Sequence, residues 1–565
     1  MVGVEAQPNK LKRQLEQENE QLVTDEYHPA AVRCTAHART IIDAWCVRGS
    51  SRTDFGGGGD DALMVTRLSR TDALSLYTQG PQTPAHTVAL IIMEASDQLS
   101  HRRLHQLVAA SLPQLARFRS RLVAKPLGVG QPVWAEIDDY DPTPQLHSAT
   151  IHAPGGPREF ADLIAQLSTS RQDCSKPLWE AWSINGLAGG RWALAVKISP
   201  ALNDGAAGKT SMWPRLLSIG PRDDPAKNLR SEPSLGSTPS LGELVTDVVS
   251  EMVENHVTGV WLIAKTVSGA LQAVCGRLRG AGDQDPRTPP ASVMSTPVPH
   301  TVFNAPLTSR RAVAFASIPL TDVKTVRNAF GGSITNVVLA CCALSLRAWL
   351  KRHDKVPDGP LLMQVPFELP ATDPPTIGKR WAVEQFRIPV HLDDPVQVLT
   401  NLHTATERLN AIRSRNDESR APKIDFATIA SLIPPTVARA GMQLYTRSGL
   451  RHQLAPICHG SVSYLAGEPA PVYCAGAKVV SMHTVAPLTE GSGLNIALIS
   501  RGDELDVSVC ACPDNVPAVD DIATGIADSV DILVAAAKES PRGQGRSVVT
   551  EMASYPLKHS RAQRH

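Results

Sequence analysis

At 565 residues the chain is longer than one hydrophobic core usually serves, so at least two domains of roughly 150–250 residues are expected. Lys and Arg total 56 against 55 Asp and Glu, a net charge of +1, which removes the electrostatic ground for a nucleic-acid partner. The 42% apolar share fits a folded globular protein, and with only 4% aromatics its cores must be built from Ala, Val, Leu and Ile.

The amino terminus, M-V-G-V-E-A-Q-P-N-K, is polar and mixed in charge and does not read as a secretory leader. No uninterrupted apolar run reaches the ~20 residues of a spanning helix. The ten cysteines are dispersed, often inside apolar runs such as V-V-L-A-C-C-A-L, without metal-site spacing, and are expected to be buried thiols of a cytoplasmic protein with no metal. Residues 1–61 read as an extension, with a polar helix from Asn9 to Asp25 and a flexible link at Phe55-Gly-Gly-Gly-Gly59.

Globular patterning begins near residue 62. A helical start at Asp72–Tyr77 is followed by a β-branched strand, Thr87–Met93, and a helix from His101 to about Leu115 with Leu104, Leu107, Val108 and Leu112 at helical spacing. An extended Pro132–Glu136 and a helix near Arg158–Ser168 lead to the segment R-W-A-L-A-V-K-I-S-P-A-L-N-D-G-A-A-G, Arg191–Gly208. Trp192–Ile198 reads as a buried strand; Pro200 breaks it, and Asn203-Asp204-Gly205 supplies turn chemistry. Polar residues thus arrive at the carboxyl end of a core strand, where α/β proteins commonly place ligands.

This first α/β domain spans 62–220, and the Pro, Ser and Gly concentration from Pro221 to Gly242 marks its end. Residues 221–300 form a linker with a long helical segment from Leu241 to about Arg279. A second α/β domain, 301–540, is expected to contain strands Ala312–Ile318, Leu361–Val365, Ser461–Tyr464, Ala477–Ser481, Leu494–Ile499 and Leu505–Cys510. Its helices are Asp322–Phe330, Thr335–Leu350 and Ile522–Lys538, and 541–565 is a loose basic tail.

Several segments, in order, resemble the bacterial wax ester synthase/diacylglycerol acyltransferase family over roughly residues 62 to 538. Phe118-Arg-Ser-Arg-Leu-Val123 with Pro132-Val-Trp134 is similar to F-R-x-R-L-V…P-V-W, and Lys176-Pro-Leu-Trp-Glu180 to R-P-L-W-E. Asn304 with Arg310-Arg311 is similar to N-x-P-L-x-x-R-R, Ser333–Ala340 to T-V-N-D-V-V-L-A, and Pro487–Ile496 to P-L-x-x-G-x-G-L-N-I. The segment ending at Gly205 resembles the active-site motif His-His-x-x-x-Asp-Gly, with Ser199 and Pro200 at the two histidines. In that family the second histidine is the general base, and proline can neither take nor give a proton. Thr335 and Asn336 stand for the family's Asn-Asp pair, and Tyr464–Glu468 for its N-V-P-G-P turn.

The resemblance implies a two-domain α/β fold like that of chloramphenicol acetyltransferase and condensation domains, with a substrate tunnel at the domain interface. It implies O-acyl transfer from acyl-CoA to diacylglycerol or a long-chain alcohol, acyl-CoA being a substrate and no cofactor being needed. Asp204 and Gly205 carry over as the motif's surviving pair, Asp204 holding its loop against an arginine for which Arg310 and Arg311 are candidates. Pro177, Trp179, Thr335, Asn336, His483 and Asn495 are the tunnel candidates. On the residues alone, Asp204-Gly205 also reads as a helix cap and turn, and His483 and His86 as satisfied histidines near a strand edge. With its general base replaced the chain is expected to transfer weakly; the alternative is an inactive paralogue that binds acyl-CoA or neutral lipid or partners an active homologue. Water-insoluble substrates imply peripheral attachment to a membrane or lipid droplet through exposed apolar residues.

Overall fold

The structure is a computed structural model. It describes residues 65–202, 212–222, 234–252, 299–368, 381–418, 458–467 and 470–539, apart from a few positions between 69 and 81 and residue 174. The expectations for the extension, the tail, 253–298, which includes most of the helical segment expected to reach about Arg279, and Asp204-Gly205 lie outside the described residues. The described residues fall within one compact unit.

Two sheets organise this unit. The first has seven strands in the order β4-β5-β6-β1-β13-β12-β7: β1 is Thr87–Met93, β4 Leu146–Thr150, β5 Trp179–Leu187, β6 Arg191–Ile198, β7 Leu217–Ser218, β12 Tyr473–Cys474 and β13 Ala477–Val485. The second has six strands in the order β10-β9-β11-β14-β15-β8: β8 is Ala312–Pro319, β9 Leu361–Glu368, β10 Trp381–Ile388, β11 Gly460–Ala466, β14 Leu494–Arg501 and β15 Glu504–Ala511. A two-stranded ribbon joins β2 (Ser120–Val123) to β3 (Val133–Glu136). Two strands of the first sheet, β12 and β13, come from the carboxyl half of the chain. The sequence reading placed His483 in the second domain; the structure instead puts its strand beside β1, with Leu90 opposite His483.

β1 is the hub of the first sheet because its two faces serve two cores. Ile91 and Met93 join a core with Leu104 and Val108 of α1 (His101–Ser111), together with Phe118 and Trp213. Val88 and Leu90 join a core with Phe160 and Ile164 of α2 (Pro157–Thr169), together with Val313 and Cys510 of the second sheet. The period-2 alternation of a strand makes this division automatic. Ser100 caps α1 by accepting from Arg103 N at 3.1 Å.

After the described helix 241–252 (α3), the carboxyl half covers its sheet with α4 (Leu320–Phe330), α5 (Ile334–His353), α6 (Pro395–Glu418) and α7 (Val519–Glu539). By length and composition α5 could cross a membrane, with a mean hydropathy of 1.3, although Thr335, Asn336, Ser345 and Arg347 interrupt its apolar run. It is a core helix: 72% of that window is buried, and Val337, Leu339, Leu346 and Trp349 pack into the largest hydrophobic cluster. The six described cysteines are all buried free thiols, and burial pushes Cys342, Cys474 and Cys510 up to about 12.

Candidate functional site

β6 buries every residue from Ala193 to Ile198, and its exit is tightly held. Ser199 N donates to Leu178 O at 2.9 Å and Leu202 N to Ser199 O at 3.0 Å, so Pro200–Leu202 forms one 3₁₀ turn. Ser199 is 1% exposed, and its hydroxyl accepts from Ala201 N at 3.3 Å. Proline suits the first position of such a turn, where its missing N–H is not needed.

Behind this turn lies a buried polar group that the sequence reading missed. Lys197, inside an apolar strand, is 0% exposed; its Nζ donates to Ser170 O at 2.6 Å and Ser170 Oγ at 2.7 Å, and pairs with Glu180 at 3.3 Å. Burial lowers its pKa, while Glu180 pulls the other way. A lysine within A-V-K-I was itself the signal, because a charge in a core strand requires a partner. Glu180 ends the K-P-L-W-E segment, so that motif neutralises β6.

The same segment anchors the sheet. Trp179 is fully buried, its Nε1 donates to Phe118 O at 2.7 Å, and it lies opposite Ile198. Pro177 is buried just before it. The Phe118–Val123 and Lys176–Glu180 stretches of the sequence are thereby locked together as structure.

Two buried histidines, His86 and His483, lie on or beside the first sheet. Thr87 lies opposite Ile198, so His86, one residue earlier, lines up with Ser199. His86 is 4% exposed, its Nε2 has no hydrogen-bond partner, and its pKa is pushed down to about 3, first by burial and then by Lys197. His483 is level with Leu90 and hence with Ala195, four residues back from Ser199 and two strands across. That places it roughly 13 Å along and about 10 Å across the sheet, too far to act at residues 199–200. It is buried against the Phe315 ring at 4.5 Å with Nδ1 3.2 Å from Ser508 Oγ, and burial lowers its pKa to about 4.

The remaining candidates are dispersed over the second sheet and its helices. Asn495 Nδ2 donates to Ser461 Oγ at 2.8 Å and its Oδ1 accepts from Ala486 N at 3.3 Å, tying the end of β13 to the second sheet. Thr335 and Asn336 open α5 beneath its cap Ser333, which accepts from Asn336 N at 3.2 Å. Asn336 is 1% exposed, and its Nδ2 has no partner. Arg310 pairs with Asp514 at 2.6 Å, whereas Arg311 donates to the carbonyls of Thr308, Arg310 and Gln82. Arg311 therefore links the second half of the chain to the residues leading into β1. Among the described residues no group of three His, Cys, Asp or Glu is arranged to hold a metal.

Comparison with known proteins gives this arrangement a family. The wax ester synthase/diacylglycerol acyltransferase catalytic-domain profile matches residues 68–338, and the family's C-terminal-domain profile matches 377–533. A Mycobacterium tuberculosis protein provisionally named a diacylglycerol O-acyltransferase is 28% identical over 487 residues, 85% of this chain and 92% of that protein. Another from that organism, with the same provisional name, is 29% identical over 470 residues, 82% of this chain and 99% of that protein. Among solved structures, the wax ester synthase/diacylglycerol acyltransferase of Marinobacter aquaeolei VT8 superposes with a TM-score of 0.57 at 22% identity, covering 84% of this chain and 99% of that one, which establishes the shared fold. The chain belongs to the wax ester synthase/diacylglycerol acyltransferase family.

Proposed function

We propose that the protein binds acyl-CoA and transfers the acyl group slowly to the hydroxyl of diacylglycerol or a long-chain alcohol, working peripherally on a membrane or lipid droplet in the cytoplasm. In this reaction the acceptor oxygen attacks the thioester carbonyl, the C–S bond breaks, and the alcohol proton finally resides on the CoA thiol. A base at residue 200 would carry that proton. The observation that carries the reading is Pro200, which opens a closed 3₁₀ turn where the family has its base. His86 is in line with the turn but too weak a base at about 3, and His483 is out of reach. Losing a general base forfeits about 10²–10⁴ in rate, while proximity and electrostatic stabilisation survive.

The second reading is an acyl-CoA or neutral-lipid carrier, or a partner of an active homologue. It is favoured by Asn336, which lacks the charge of the family's aspartate. Calorimetry with a long-chain acyl-CoA, paired with a radiolabelled transfer assay over a panel of alcohols, separates the two. The transferase and the acyl-CoA carrier both require saturable binding of order micromolar, about −8 kcal/mol, which weakens as the chain shortens and has a negative heat-capacity change. Slow product formation supports the transferase, and binding without product supports the carrier. No binding of any acyl-CoA would overturn the transferase and the lipid carrier and leave a structural or protein-partner role.

A further inference from the structure

The first turn of α1 closes on the first sheet through a polar cluster that the transferase reading does not use. His101 and His105 are one turn apart, so their imidazoles share a face of the helix, while the exposed Arg102 and Arg103 project about 100° and about 200° away from His101. Both rings meet one atom of β5: His101 Nδ1 is 2.7 Å and His105 Nε2 is 3.0 Å from Ser183 Oγ. His105 Nε2 is also 2.9 Å from the backbone oxygen of His147 on β4, which lies 3.3 Å from the same hydroxyl. A carbonyl only accepts, so His105 Nε2 carries a proton, and Ser183 then gives its own proton to His101 Nδ1. Ser183 is 0% exposed, whereas His101 is half-buried with its ring edge-on to Trp192 at 5.0 Å, which leaves a path from solvent. Because Ser183 lies opposite Leu194, strand alternation puts the cluster on the face of the sheet away from Lys197 and Ser199.

These contacts have the dimensions of a coordination shell. Ser183 Oγ, His105 Nε2 and the His147 oxygen form a triangle with sides of 3.0, 2.9 and 3.3 Å, and His101 Nδ1 adds a fourth donor 2.7 Å from the Ser183 corner. An ion that bonds nitrogen and oxygen at about 2.1 Å sets its ligands about 3.0 Å apart at a right angle and about 3.4 Å apart at the tetrahedral angle. We propose that His101 Nδ1, His105 Nε2, Ser183 Oγ and the His147 carbonyl oxygen form a binding site for a divalent zinc-class ion, with water completing its shell. Two imidazoles among uncharged donors select zinc, nickel or copper, whereas magnesium and calcium call for carboxylate oxygens. Burial, and after it the neighbouring His105, keeps His101 below its ordinary pKa, so its ring is neutral and ready to bind at neutral pH. On binding, the His105 proton passes to Nδ1, and the Ser183 proton turns toward Ser148 Oγ, 3.5 Å away. The ion then pins the first turn of α1 to β4 and β5, the strands that flank β6.

The test uses the full chain stripped with EDTA, with zinc as the ligand and cobalt as a coloured substitute. Zinc should bind the wild type with an affinity of order micromolar, raise its melting temperature and bleach the visible bands of bound cobalt. Anomalous scattering at the zinc edge should place the ion about 2.1 Å from His101 Nδ1 and His105 Nε2. His105→Gln keeps an N–H for the His147 carbonyl but removes the imidazole; without zinc it should melt with the wild type, while zinc affinity falls at least about tenfold. His101→Gln should behave alike. A wild type that binds no zinc, an anomalous peak away from α1, or folded variants with unchanged affinity would overturn the proposal. The anomalous peak is read on the wild type, so it decides the matter even where a variant fails to fold.

Discussion

At the scale of single residues, the fold tolerates buried titratable groups only by fixing their charge. His86 and His483 are held neutral, at about 3 and about 4, chiefly by burial. Their folded-state values lie below the unfolded value near 6.5, so at acidic pH the unfolded chain binds more protons than the folded one. Their contribution to stability is intact above 6.5 and declines as pH falls toward 4. At pH 5 each should cost about 2 kcal/mol. Urea midpoints from pH 7 to 5 should therefore fall, and His483→Gln should flatten the decline by about one proton; an unchanged slope would contradict the burial argument. His86 could be found in the sequence only through its resemblance to the family. Lys197 was legible without it, as a charge inside a buried strand, but its partners Ser170 and Glu180 needed the fold.

Elements were legible in proportion to their apolar periodicity. β1 was read at its observed ends, and β6, β14, β15, α2 and α7 within a few residues. β5, β10 and α6 were not anticipated. β5 carries Glu180, Ser183 and Asn185 between its apolar residues and shifts register around Gly186, with φ 82°, so it lacks a clean run. Pairing with β6 and with β4 makes it a strand, and those partners are distant in the chain. α3 is a different case: helical periodicity predicts the helix, while its orientation is decided by Lys125, more than a hundred residues away, which bridges the buried Asp247 and Glu251. Lys125→Met should leave Asp247 and Glu251 buried with a cation removed, costing about 3 kcal/mol. Hydrogen exchange should show that loss first in 241–252, with the seven-stranded sheet still protected. Uniform loosening, or none, would refute the anchoring role.

For the molecule as a whole, sequence motifs identified the fold class and the order of its parts, but not the exchange of strands between halves. β13 pairs with β1 although nearly 400 residues separate them, so the wall beside the candidate site is built from both halves. That exchange explains why Arg311 holds Gln82 backbone from the amino half, while Asn495 ties the end of β13, a carboxyl-half strand paired in the first sheet, to the second sheet. The surviving motifs thus preserve architecture, while under the proposed function the change at residues 199–200 falls on proton transfer. The most direct test is the single-turnover acyl-transfer rate, at saturating long-chain acyl-CoA, of wild type against Ser199→His/Pro200→His. If only the base is missing, the double variant should transfer at least about tenfold faster with unchanged acyl-CoA affinity. A folded double variant that binds acyl-CoA as the wild type does and transfers no faster would contradict this account.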